Sequence, residues 1–179
     1  EPDWDEAAVT KVDYLVSDDQ TAEATAFVAQ YLDENPNSQS MLVRSSRLLA
    51  VEEQYEAAWD RLKSTLRSKE VGAPTLYFAA ILATEVGQER RVTGYLERAI
   101  EKNPGFDRAR MYLAARYADE QDFEAAFDQY QQVRDPSLSE DAMIQMVLVT
   151  EEIRGTDEAL SFLVRMDIQS QGKYLKYVL

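Results

Sequence analysis

The sequence predicts an all-α chain, a solenoid of about five stacked helix hairpins. Two registers carry that reading. A small or apolar residue followed by a larger apolar one recurs every 34 residues, as Ala24/Val28, Ala58/Leu62, Val92/Leu96, Ala126/Tyr130 and Leu160/Val164. A second set keeps the same step where one helix should hand over to the next: Asp19, Glu53, Gly87, Gln121 and Gly155. One period shared by two registers belongs to a two-helix repeat array. Apolar content of 45% with ten Tyr is enough to fill a core, so the chain is not of the disordered class.

The hairpins are expected at about 5–37, 38–71, 72–105, 106–138 and 139–170, all within a single repeat domain over 1–179. In the first, Ala8, Val12 and Leu15 lead through Asp18-Asp19 to Ala24, Val28 and Tyr31, closed by Asn35-Pro36-Asn37. Its Lys11 stands where an apolar residue is expected. The second places Leu42, Ser45, Ser46 and Leu49 on its first helix, turns at Glu53, and continues with Tyr55, Ala58, Leu62 and Leu66. The third is the most regular. Leu76, Ala79, Ala80 and Ala83 share one helical face at steps of three and four. Pro74 precedes them where a missing N–H costs little. Gly87 supplies the positive φ that a helix end often requires, and Val92, Leu96, Ala99 and Ile100 follow before Asn103-Pro104-Gly105. The fourth carries Leu113, Ala114 and Tyr117, then Gln121-Asp122, Phe123, Ala126, Tyr130 and Val133. The fifth offers Ile144, Val147 and Leu148, then Gly155, Ala159, Leu160 and Val164. Residues 171–179 read as a capping helix or the start of a further repeat. The start at Glu1-Pro2-Asp3-Trp4 and the apolar end at Tyr177-Val178-Leu179 read as those of a piece of a longer protein.

Leu76-x2-Ala79-Ala80-x2-Ala83, Val92-x3-Leu96 and Pro104, with Tyr55-x2-Ala58 and Phe123-x2-Ala126, resemble the tetratricopeptide repeat. There is no Trp in the first helix, and Ala or Ser replaces the Gly of that pattern. The resemblance covers roughly Asp5 to Arg165. It implies a right-handed superhelical solenoid whose first helices line a concave groove. Independently of the name, each helix pair has an apolar face that only stacking on a neighbour can bury.

Composition removes several chemistries. No Cys and no His means no disulfide framework, no Cys nucleophile and no Ser–His–Asp triad. A net charge of −14 argues against a phosphate-binding surface, so no nucleic-acid partner is expected. No apolar run approaches the roughly 20 residues of a membrane-spanning helix, and no direct membrane insertion is expected. The pairs Asp18/Asp19, Glu52/Glu53 and Glu151/Glu152 lie beside inter-helix turns, in solvent rather than in the distinct buried environments acid–base work needs. The cluster from Asp119 to Glu124 lacks the glycine and ligand alternation of a calcium loop, and Asp119 or Asp122 fits a helix terminus. No catalytic residue, metal ligand or cofactor site is assigned. The basic groups Arg44/Arg47, Arg61/Lys63/Arg67/Lys69, Arg90/Arg91 and Arg108/Arg110 read mainly as surface charge, with Arg47 and Arg108 excepted.

Projected onto the concave side that the resemblance implies, the first helices present Ser40, Val43 and Arg47, then Tyr77, Ile81 and Glu85. Arg108, Met111 and Ala115 follow from the fourth hairpin, and Gln145 and Val149 from the fifth. Tyr, Met and Arg are types that interfaces enrich. Two readings stay open for Tyr77, Ile81 and Val149: partner contact, or packing between repeats. The positions where chaperone-binding relatives hold a carboxylate with Lys, Asn and Arg carry Thr10, Asp13, Arg44, Arg47, Phe78, Ile81, Tyr112 and Ala115 here. With no Asn among them, that clamp is not expected.

The function expected is a non-catalytic scaffold or adaptor binding a protein or peptide partner on the concave face. An accessory domain of a larger enzyme and a self-assembly module through Tyr174, Tyr177 and Val178 are the alternatives; the oligomeric state is left open. Tyr130-x2-Val133 with Glu158-Ala159-Leu160-x2-Leu163 is also similar to repeat arrays of Gram-negative envelope lipoproteins. Some of those recruit a carboxyl-terminal processing protease and its cell-wall hydrolase substrates. That second resemblance implies such a partner and a periplasmic, outer-membrane-anchored parent, with a cytoplasmic parent as the alternative.

Overall fold

Ten α-helices make up the described part of the chain, residues 4–169 of a computed structural model, and no strand occurs among them. They are α1 (Trp4–Ser17), α2 (Thr21–Glu34), α3 (Gln39–Val51), α4 (Tyr55–Leu62), α5 (Ala73–Glu85), α6 (Val92–Lys102), α7 (Asp107–Asp119), α8 (Phe123–Gln131), α9 (Ser139–Arg154) and α10 (Thr156–Gln169). Short 3-10 turns at Thr65–Arg67 and Glu89–Arg91 follow α4 and precede α6. The chain divides into two compact units, with the boundary inside α6 between Tyr95 and Leu96. The expected capping segment 171–179 and its tyrosines lie outside the described residues.

The turn register is the one the sequence predicts. Positive φ occurs at Asp19 (56°), Glu53 (59°), Gly87 (68°), Gln121 (63°) and Gly155 (87°). In the first four hairpins this left-handed residue stops the first helix by turning the next amide back on it. Gln20 N donates to Leu15 O at 2.9 Å, Gln54 N to Leu49 O at 2.9 Å, Gln88 N to Ala83 O at 2.6 Å and Asp122 N to Tyr117 O at 2.8 Å. A second amide, that of the positive-φ residue itself, reaches the carbonyl three back. This pair of bonds is the Schellman motif, which satisfies carbonyls that a helix end leaves open.

In the first unit, α1 buries Ala8, Val12 and Leu15 against Ala24, Val28 and Leu32 of α2 and Met41, Leu42 and Leu48 of α3. Lys11 keeps its place beside this core because its Nζ sits 4.0 Å from the centre of the Phe27 ring, a cation–π contact. Ser46 is fully buried, and its Oγ donates to Ala58 O at 2.7 Å. The hydroxyl thus joins α3 to α4 at a position that Ala80 fills in the next hairpin. Leu76, Ala79, Ala80 and Ala83 on α5 are all fully buried, as their spacing predicts.

The second unit keeps the predicted core through α8, with Leu113, Ala114, Ala126, Tyr130 and Val133 buried. The fifth hairpin departs from it by one residue. On α10 the buried pair is Ala159 and Leu163, at 3% and 8% exposure, while Leu160 and Val164 are 44% and 47% exposed. On α9 the buried residues are Ala142, Met143, Met146, Val149 and Thr150, whereas Leu148 is 50% exposed. Both helices therefore follow the fourth hairpin at one residue less than the 34-residue step. Gly155 keeps the step but changes its conformation: at φ 87° and ψ 169° it joins α9 directly to α10, with no second turn residue.

The slip originates in the connector between α8 and α9, which is organised by a buried acid. Asp107 Oδ2 accepts from Arg134 N at 2.7 Å and Asp135 N at 2.6 Å. Asp135 then caps its own turn, accepting Ser137 N at 2.9 Å and Ser137 Oγ at 2.7 Å. Arg110 belongs to the same cluster. It is 6% exposed, so it is not the surface charge the sequence suggests. Its Nη2 donates to Pro104 O at 2.7 Å, its Nη1 to Gln129 Oε1 and Gln132 Oε1 at 3.1 Å each, and its Nε lies 3.7 Å from Asp107 Oδ1.

Candidate functional site

In the first unit a channel runs along α3. One cavity of about 490 Å³ is walled by Val12, Asp13 and Val16 of α1, by Val43, Arg44, Arg47 and Val51 of α3, and by Thr75 of α5. A second, of about 250 Å³, is lined by Gln39 and Ser40 at the start of α3 and by Val71 ahead of α5. The two share Val43 and Thr75 in their linings and so adjoin along α3. A helix of that length spans about 20 Å, enough for roughly six residues of extended chain.

Two carboxylates, Asp13 and Asp5, tie α1 to its neighbours beside the channel. Arg44 Nε donates to Asp13 Oδ1 at 3.0 Å and its Nη2 to Asp13 Oδ2 at 2.6 Å, a bidentate bond that joins α1 to α3. Near the other end, the Asp5 carboxylate accepts the hydroxyls of Tyr31 at 3.0 Å, Ser38 at 2.6 Å and Ser40. Burial alone would raise the Asp5 pKa, but the hydroxyls of Ser38, Ser40 and Tyr31, with Arg44 nearby, outweigh it and hold it below the usual carboxylate range. Arg47 lies 5.5 Å from the centre of the Phe78 ring. It forms no ion pair or hydrogen bond among the described residues.

Of the residues the sequence proposes, Ser40, Val43 and Arg47 are brought together here, although the Ser40 hydroxyl is bound by Asp5. The α5 residue lining the channel is Thr75; Tyr77 and Ile81 are half-buried and Glu85 is exposed outside it. In the second unit Arg108 is exposed, and Met111, Ala115 and Gln145 are half-buried. Val149 is 4% exposed and packs in the core with Met146, so it is not a surface residue. The one-residue slip puts Ile144 and Leu148 where Gln145 and Val149 stand in the 34-residue projection. Sequence reasoning missed Val16 and Val51, exposed apolar residues that follow the helical period of α1 and α3, while Val12, read as core, is core and also touches the cavity. Among the described residues no group of three His, Cys, Asp or Glu could hold a metal ion, and no helix is long and apolar enough to cross a membrane.

No protein-family model matches the chain, and no curated protein matches it. Solved structures do. YrrB, described as a tetratricopeptide-repeat protein with an unusual peptide-binding site, superposes with a TM-score of 0.75 at 22% identity, over 89% of this chain and 83% of that one. MamA gives a TM-score of 0.76 at 18% identity, over 98% and 96% of the two chains. A tetratricopeptide-repeat protein from Parabacteroides merdae gives 0.74 at 14% identity, over 96% and 68%. The chain has the tetratricopeptide-repeat fold.

Proposed function

We propose that this chain is a non-catalytic scaffold that holds a protein partner as an extended segment along α3, between α1 and α5. The observation that carries the reading is the pair of adjoining cavities that share Val43 and Thr75, the larger walled by Val12, Val16, Val43 and Val51 with Arg47 at its side and the smaller lined mainly by polar residues. A concave site with apolar walls and a few placed polar groups is the usual form of a binding pocket. The likeness to YrrB, a protein described as having a peptide-binding site, agrees with it.

A displayed library of random peptides tests this. Peptides selected on the native chain should lose binding to Val43→Asp and keep it with Leu148→Asp, a change outside the channel, while both variants retain native helicity. Selected peptides that bind Val43→Asp undiminished would remove the channel from the function. The envelope as compartment, with a protease or cell-wall hydrolase as partner, is a proposal supported by the sequence resemblance. A lipid-attachment Cys in the parent gene, labelled metabolically with palmitate, would support it, and a parent that stays in the cytoplasmic fraction would end it.

A further inference from the structure

Resting on the channel reading above, we infer that the segment bound along α3 is an internal stretch of another protein with the pattern apolar-x-acidic-x-apolar, its single carboxylate read by Arg47. Three observations lead there. Val43, Arg47 and Val51 stand at successive turns of α3 and all line the channel. Four helical residues rise about 6 Å, and two residues of extended chain advance about 6.7 Å. Alternate side chains of an extended segment therefore meet Val43, Arg47 and Val51 in turn, with a mismatch of under about 1 Å per step.

The second observation is charge. Of the two arginines in the channel, Arg44 is neutralised by the bidentate bond to Asp13. Arg47 has the Phe78 ring behind it and no carboxylate partner among the described residues. Desolvation and then the like charge of Arg44 lower its pKa while Asp13 opposes them, and the residue stays exposed to solvent. A guanidinium 5.5 Å from a ring centre keeps its N–H donors available to a carboxylate.

The third is the apolar exposure beside it. Val51 is 72% exposed and Val16 45% exposed, both lining the same cavity as Arg47. One open cation between apolar walls fits one carboxylate between apolar side chains. A long acidic run does not fit, since the net charge of −14 repels it.

The probe is a fluorescein-labelled, C-terminally amidated peptide, Gly-Ser-Val-Ser-Glu-Ser-Val-Ser-Gly, titrated by anisotropy with the 179-residue chain at about 0.15 M salt, where long-range repulsion is screened. Replacing its Glu by Gln should weaken binding about tenfold, the effect of a charge-assisted bond. Replacing either Val by Ser should weaken it as well. Arg47→Glu should reverse the preference, binding the Lys version more tightly than the Glu one; this reversal keeps the test independent of any loss of folding. Equal binding of the Glu and Gln peptides, or no binding of the Glu peptide at about 1 mM, overturns the inference. So does stronger binding of a version with a free carboxyl terminus and Gln in place of Glu. If Glu and Gln peptides bind equally and Val43→Asp abolishes both, the channel stands and only the acidic pattern falls. Binding unchanged by Val43→Asp overturns the channel reading as well.

Discussion

Asp107, in the first turn of α7, holds the backbone amide of Asp135 at 2.6 Å across 28 residues of chain. The same oxygen takes the Arg134 amide, and the acid's other oxygen faces the buried Arg110. One side chain thus ties the start of α7 to the connector between α8 and α9.

Asp107→Ala should therefore cost about 3–5 kcal/mol, because it strands the Arg110 guanidinium in the interior and frees two amides. Asp107→Asn keeps an acceptor for one or both amides but removes the charge, so its cost should fall between alanine and the native residue. Urea unfolding followed by circular dichroism measures both. Equal stability of all three proteins would show that the connector holds without this contact.

The five turn residues share a sign of φ but not a conformation, and substitution should separate them. Glu53 and Gln121 sit in the left-handed region with side chains that carry a Cβ penalty there, so Glu53→Gly and Gln121→Gly should each stabilise the fold by about 0.5–1 kcal/mol. Gly155 occupies a region at φ 87° and ψ 169° that is nearly closed to other residues. No atom lies within 4 Å of a Cβ built there, so any cost comes from the backbone alone. Gly155→Ala should cost about 1–3 kcal/mol, more than Gly87→Ala. Thermal unfolding of the four variants ranks them, and a harmless Gly155→Ala would contradict the direct α9–α10 junction.

The period was legible because it rests on backbone geometry and on the size of a few side chains. A positive φ shows in residue type at Gly87 and Gly155 and only through the period at Asp19, Glu53 and Gln121, while Ala24, Ala58 and Ala126 mark the close approaches. The slip in the fifth hairpin was not legible. Gly155 keeps the step, and Ala159-Leu160 and Leu163-Val164 each offer two adjacent apolar residues for one core position. What decides between them is the connector held by Asp107, a contact with no local signature. Arg110 was hidden for the same reason, since its partners Pro104, Gln129 and Gln132 come from separate segments. In the channel, Val43 and Arg47 followed from helical phase. The buried face of α5 followed from Leu76, Ala79, Ala80 and Ala83; which flank of it, Thr75 or Tyr77, lines the channel depends on where α3 packs, which no single-helix pattern encodes.

The fifth-hairpin register predicts an ordering that the 34-residue step reverses. Leu163→Ala should cost about 2–4 kcal/mol as a buried truncation, and Val164→Ala should stay within about 0.5 kcal/mol as a change on an exposed side chain. Denaturant midpoints of the two single variants decide it, and a larger loss at Val164 would restore the unbroken period.

Asp5 has a pKa held below its ordinary value by three hydroxyls and Arg44 despite its burial. A depressed carboxylate stabilises the folded state fully above the unfolded pKa, near 3.9, and that contribution is lost as the pH falls through the lower folded value. The Tyr31, Ser38 and Ser40 hydroxyls that donate to it link α2 and the start of α3 to α1, so the loss should be felt first in the amino-terminal hairpin. The stability difference between the native chain and Asp5→Asn should be constant above about pH 5 and shrink progressively below about pH 4. Amide hydrogen exchange in α1 should follow the same curve, with protection in α1 falling at acid pH in the native chain to the level of the Asn variant. A difference that grows on acidification would mean the carboxylate is not stabilised by these donors.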